Sequence, residues 1–185
     1  MKTLFKNILV LAVMLGTCTS YANETLEVVP TFNNVKKGNS ITVTDATGLI
    51  IFSGQINFDG NISRLYNFSQ LEDGIYILEV NKDFEINIST VEVKGNVVTF
   101  LNNKQKTIFK PVFRVEDDLL IITKFGFDSP KMQVDLYYGD ELIHTENVKG
   151  SEILNRVFKL DKTIKGDYSA VVRTNGRVYV ENFRI

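Results

Sequence analysis

The chain has 185 residues with 21 basic and 22 acidic side chains, a formal net charge of −1, and one cysteine. That balance gives no electrostatic footing for nucleic acid or for an anionic membrane surface, and a lone cysteine excludes an internal disulfide framework. Tryptophan is absent and 44% of residues are apolar, enough for a core held together by packing alone.

In chain order, MKTLFKNILVLAVMLGTCTSYANE opens with Lys2 and Lys6, an apolar stretch from Ile8 to Leu15, and then small and polar residues. This is the layout of a secretory signal peptide, and its apolar part is shorter than the roughly 20 residues of a membrane span. Ser20 and Ala22 are small residues at the two positions a signal peptidase reads, so residues 1–22 are expected to be removed. A lipoprotein reading at Cys18, after Leu15-Gly16-Thr17, is the alternative. Cleavage after Ala22 leaves 19 basic against 22 acidic residues, a net charge near −3, and no thiol to act as nucleophile or metal ligand.

From residue 23 onward apolar side chains alternate: Ile41 and Val43, then Met132, Val134 and Leu136, then Val178, Val180, Phe183 and Ile185. That is strand periodicity. The runs are separated by hairpin signals at Asp59-Gly60, Asn81-Lys82-Asp83, Asn102-Asn103 and Asn175-Gly176. Residues 94–116, KGNVVTFLNNKQKTIFKPVFRVE, are too apolar for a flexible spacer. VVTFL and TIFKPVFRV read as two connecting strands around Asn102-Asn103.

Displaced by 92 positions, residues 62–93 lie without a gap over residues 154–185. Arg64 falls on Arg156, Gly74 on Gly166, Tyr76 on Tyr168, Val80 on Val172 and Ile88 on Val180. Upstream, Gly48 falls on Gly139 and, after one insertion, Phe52 on His144. The chain therefore reads as two copies of one unit of about 70 residues, expected at 23–93 and 117–185. About six short strands per copy, with turns roughly every 8–12 residues, predict an all-β chain of two tandem antiparallel immunoglobulin-like sandwiches.

The shared Gly-x-Tyr has a structural reading. A tyrosine just inside a strand, following a crossover between sheets, can bond its hydroxyl to backbone a few residues upstream. Gly74, Tyr76, Gly166 and Tyr168 are accordingly expected to form two tyrosine corners, each glycine supplying a backbone conformation that other residues resist.

The stretches DATGLIIFSGQI, ISRLYNFSQLEDGIYILEV and LNRVFKLDKTIKGDYSAVVRTNGRVYVENFRI resemble small secreted immunoglobulin-like domains of Bacteroidota-type bacteria, including the C-terminal sorting module of the Por (type IX) secretion system. The resemblance covers most of the chain after residue 22. It implies a β-sandwich fold and a role at the envelope or in secretion.

No constellation for catalysis stands out. His144 has no partner at a recognisable spacing, and Glu116-Asp117-Asp118 lacks the alternating ligands of a calcium loop and reads as a solvated hairpin turn. No nucleophile elbow, phosphate loop or dinucleotide fingerprint occurs. The expectation is an exported, non-enzymatic interaction or structural module without metal or cofactor, in the periplasm, at the cell surface or secreted. Its partner would be an envelope protein or a glycan, with Phe127 and Tyr137 as contact residues. Carbohydrate binding through those aromatics, or a sorting and carrier role, are the alternatives.

Overall fold

The computed structural model describes residues 31–62, 71–101 and 105–185. The expected signal peptide, its cleavage after Ala22, Cys18 and the Asn102-Asn103 turn lie outside these residues. All fifteen regular elements among the described residues are strands: β1 (Phe32–Val35), β2 (Ser40–Asp45), β3 (Ile50–Gln55), β4 (Gly60–Ile62), β5 (Gly74–Asn81), β6 (Glu85–Lys94), β7 (Val97–Phe100), β8 (Lys106–Phe109), β9 (Val112–Glu116), β10 (Leu119–Phe125), β11 (Lys131–Tyr138), β12 (Glu141–Lys149), β13 (Ile153–Lys159), β14 (Asp167–Thr174) and β15 (Arg177–Arg184). The protein is all-β, and every strand pairing is antiparallel.

The later strands form two sheets, β13-β10-β9 and β12-β11-β14-β15. This separation of the first, second and fifth strands from the third, sixth and seventh, with the fourth on an edge, is an immunoglobulin-like arrangement. Alternation sends Leu120, Ile122 and Leu154 of one sheet and Met132, Val134, Leu136, Ala170 and Val172 of the other into one buried cluster. The earlier strands pair as β1-β4 and β3-β2-β5-β6, and bury Phe32, Val35 and Ile62 against Ile41, Val43, Leu78, Val80 and Val91.

The pairings of the two groups match with β2 set 93 positions before β11, not the 91 that Gly48 over Gly139 implies, so those two glycines are not equivalent. Ile41 faces Val80 and Val43 faces Leu78, as Val134 faces Val172 and Leu136 faces Ala170. A bulge follows Val43 against Phe52, and another follows Leu136 against His144.

The segment between the groups departs from its sequence reading at one point. TIFKPVFRV is not one strand but two, β8 and β9, divided at Lys110-Pro111. Proline has no N–H for a ladder, so pairing along the first sheet ends with the Lys110 N–H donating to the Phe84 carbonyl at 2.8 Å. β7 and β8 both pair with β6, whereas β9 pairs with β10.

Candidate functional site

The hydroxyl of Tyr76 donates to the Glu72 carbonyl at 2.9 Å, and that of Tyr168 to the Ile164 carbonyl at 3.0 Å. Each bond pins the loop entering its strand. The glycines differ from each other, and only Gly166 has the expected positive φ, 159°. Gly74 has no positive φ, and an added Cβ would meet only ordinary contact with the Tyr76 ring at 3.6 Å. At Gly166 close approach adds to the backbone conformation: a Cβ would lie 2.6 Å from Cε2 of Tyr138, whose hydroxyl donates to the Lys165 carbonyl at 3.0 Å.

Tyr137 and Phe127, paired in the sequence reading as contact residues, are not brought together. Tyr137 is half-buried on the outer face of β11, in a polar neighbourhood. There Asp135 accepts hydrogen bonds from Thr145 Oγ1 at 2.5 Å, from Gln133 Nε2 at 3.0 Å and from the Arg173 guanidinium. Burial pushes the Asp135 carboxyl upward, but the bonds from Thr145, Gln133 and Arg173 outweigh it and hold the group below the usual carboxylate range.

Phe127 stands on the other side of the chemistry, exposed by 68%. Its ring stacks on Phe125, with centroids 5.8 Å apart and planes at 16°, and Phe109 sets its edge against both at 5.4 and 6.0 Å. Gly126 makes this possible: its α-carbon faces inward, where a Cβ would meet Leu154 Cδ1 at 2.8 Å and the Ser151 carbonyl at 2.9 Å. Beside the rings is a groove of about 340 Å³ lined by Phe84, Lys110, Val112, Thr123, Lys124 and Phe125. Phe84 and Val112 are exposed. The Lys110 ammonium at this groove donates to Asn81 Oδ1 at 2.8 Å. Burial lowers its pKa, against an opposing pull from Asp83.

The shelf of rings is anchored from beneath. The side chains of Lys124 and Asp128 are buried and form an ion pair at 2.5 Å. The Lys124 ammonium also donates to the Phe125 carbonyl at 2.7 Å, while Asp128 Oδ2 accepts from the Phe109 N–H at 3.2 Å and from Asn175 Nδ2 at 3.1 Å. One carboxylate thus ties β8, the loop after β10 and the β14–β15 turn. Nearby, Arg177 bridges to Glu79 of β5 at 2.5 Å.

Sequence reasoning missed Lys124, Asp128, Phe109 and Phe125. The structure places Lys124 as it places Phe32, Lys124 facing Leu154 and Phe32 facing Ile62, a displacement of 92 that the 91 read at Gly48 and Gly139 hid.

His144 is half-exposed, its ring edge-on to Phe158 at 5.5 Å and its Nε2 3.9 Å from Glu146. Asp117 and Asp118 form the two-residue turn joining β9 to β10, Asp117 with φ of 51°, and Asp118 pairs with Lys162 at 3.3 Å. Among the described residues no group of three or more His, Cys, Asp or Glu is placed to hold a metal ion, and no helix is long and apolar enough to cross a membrane.

Residues 22–94 match the family described as the secretion system C-terminal sorting domain. The chain thus carries an immunoglobulin-like domain resembling that family, a non-catalytic domain type associated with export. No curated protein matches. Similar solved structures include the BSP domain of a biofilm-associated protein, at 10% identity and TM-score 0.31 over 86% of this chain. The chain spans 27% of that structure's length. The CD2-binding domain of CD58 (lymphocyte function-associated antigen 3) is similar at 9% identity and TM-score 0.29, covering 84% of this chain and 91% of that one. The human OSCAR ligand-binding domain is similar at 10% identity and TM-score 0.25, covering 85% and 92%.

Proposed function

We propose that this protein is an exported, non-catalytic interaction module of two tandem immunoglobulin-like sandwiches, which holds an extended segment of an envelope protein on the shelf formed by Phe109, Phe125 and Phe127. The observation that carries this reading is the stacked, exposed pair Phe125 and Phe127 beside an apolar groove. Exposed aromatic surface that is already ordered loses little side-chain entropy on binding and is the usual anchor of a protein interface. A groove of about 340 Å³ is at the lower end of ligand-pocket sizes and suits one or two apolar side chains. The Lys110 ammonium at the groove favours a carboxylate next to them.

A photo-crosslinking residue at position 127, compared with one at exposed Lys165, tests the reading in the native envelope. A discrete protein adduct from position 127 alone, lost when Phe125→Ala is added, is the expected result. Crosslinking that is equal from both positions, or a glycan-array signal abolished by Phe127→Ala with no protein adduct, would replace it.

The family match at residues 22–94 favours a second reading, recognition by a secretion machinery. A reporter fusion to the whole chain separates the two readings. Export of a reporter by the whole chain, unaffected by Phe127→Ala, would support sorting rather than partner capture at the shelf.

A further inference from the structure

β6 and β15 hold the same position in their sheets, fourth in the orders β3-β2-β5-β6 and β12-β11-β14-β15. Beyond β6 the first sheet continues, because β8 pairs with Glu85–Ile88 and β7 with Val91–Lys94. Beyond β15, no described residue continues the second sheet. The consequence is visible in side chains at matching positions. Ile86, opposite Ile108 of β8, is 4% exposed, whereas Val178 and Val180 of β15 are 59% and 53% exposed.

A long, regular strand edge is a template for another strand unless it is blunted by a bulge, a proline or inward charge. The other edge of the same sheet, β12, is bent by the bulge at Leu136/Tyr137. β15 keeps an unbroken register with β14 from Arg177 to Arg184 and contains no proline.

We infer that the β15 edge pairs with β15 of a second copy of this chain, antiparallel about a two-fold axis, so that one sheet runs through both molecules. Symmetry narrows the register. A two-fold axis perpendicular to the sheet keeps every residue on its own face, and directly opposed residues share a face. A residue can therefore face itself or one an even number of positions away.

Centring the pair on Glu181 would set two carboxylates against each other, a destabilising arrangement. Centring it on Asn182 would set each Val180 against an arginine, Arg184. Centring it on Val180 sets Val180 against itself, Val178 against Asn182, Tyr179 against Glu181 and Arg177 against Phe183. No like charges meet, Arg177 keeps its own Glu79, and seven residues of each strand overlap from Arg177 to Phe183. A contact of this size gives a reversible, concentration-dependent dimer.

The test is sedimentation of the full chain over a dilution series, together with cysteine crosslinking in a Cys18→Ser background. The expected result is a monomer–dimer equilibrium. Val180→Cys should oxidise to a covalent dimer, because opposed Cα atoms in an antiparallel pair are within disulfide range, while Val178→Cys and Asn182→Cys singly should not. Val180→Lys should weaken the dimer by about tenfold or more with an unchanged circular dichroism spectrum, and Leu142→Lys on the β12 edge should leave it intact. A monomer at every concentration, a dimer indifferent to Val180→Lys, or equal crosslinking from all three cysteines would overturn the proposal. Protection of β15 amides only after an envelope extract is added would overturn it in favour of a strand from another protein.

Discussion

Lys124 and Asp128 form a buried ion pair at 2.5 Å at the register position where the first group of strands buries Phe32. The pair replaces apolar packing with a charged knot whose carboxylate reaches β8 and the β14–β15 turn. A buried pair with its remaining bonds satisfied is costly to break from one side, because the surviving charge is left without its counter-ion. Asp128→Ala should therefore lower stability by about 3–5 kcal/mol, measured by urea unfolding. Adding Lys124→Met should restore part of the loss, since the orphaned ammonium is then gone. A loss no larger than that of an exposed pair, about 0–1 kcal/mol, would show that the knot does not bear on folding.

Gly126 separates the stacked rings of Phe125 and Phe127 and faces backbone at Ser151. A methyl group there must displace both the buried Leu154 side chain and the Ser151 backbone. Gly126→Ala should cost about 1–3 kcal/mol in thermal unfolding and should also abolish the crosslink from position 127.

The two Gly-x-Tyr motifs should respond unequally to the same change. Gly74→Ala meets ordinary contact, whereas Gly166→Ala drives a methyl into the Tyr138 ring. Gly166→Ala should be the more destabilising by on the order of 1 kcal/mol. Tyr76→Phe and Tyr168→Phe each remove one hydroxyl bond and should each cost about 0.5–1.5 kcal/mol, as read from denaturant midpoints.

Asp135 ties acid stability to the outer face of β11. Its folded pKa is depressed, so its contribution is present in full above the unfolded value near 3.9 and is lost as pH falls through the folded value. The unfolded chain takes up this proton first, so stability declines on acidification from neutrality toward about pH 3. Asp135→Asn should be less stable than the parent at neutral pH and should lose less on acidification, as measured by urea midpoints across that range. Parallel pH profiles for the two proteins would remove Asp135 from the account.

Much of the strand pattern could be read from the sequence because period-two alternation is local. Ile41 with Val43, and Val134 with Leu136, are buried as the alternation requires. The equivalence of Phe52 and His144 was legible from the repeat, and each directly follows the extra residue of a bulge, Ile51 and Ile143. The tyrosine hydroxyl partners lie four residues upstream, within reach of local reasoning, whereas the role of Gly166 depends on Tyr138, a residue of another strand.

By itself the sequence determined which segments are extended, the hairpin turns at Asn81-Lys82-Asp83 and Asn175-Gly176 and the inward alternation of β2 and β11, since those properties are set by backbone geometry and by neighbours two or three residues apart. Asp59-Gly60, read as a hairpin, instead leads from β3 into another sheet, and Val178 and Val180 face outward. Only the tertiary structure decided that Pro111 divides one apolar run between two sheets, that Arg177 meets Glu79 across 98 positions, and that Phe109 joins Phe125 and Phe127 in one shelf. The physical reason is that these contacts depend on how sheets pack and which edges they share. A strand's alternation specifies the face a side chain takes, and the partner on that face comes from elsewhere in the chain.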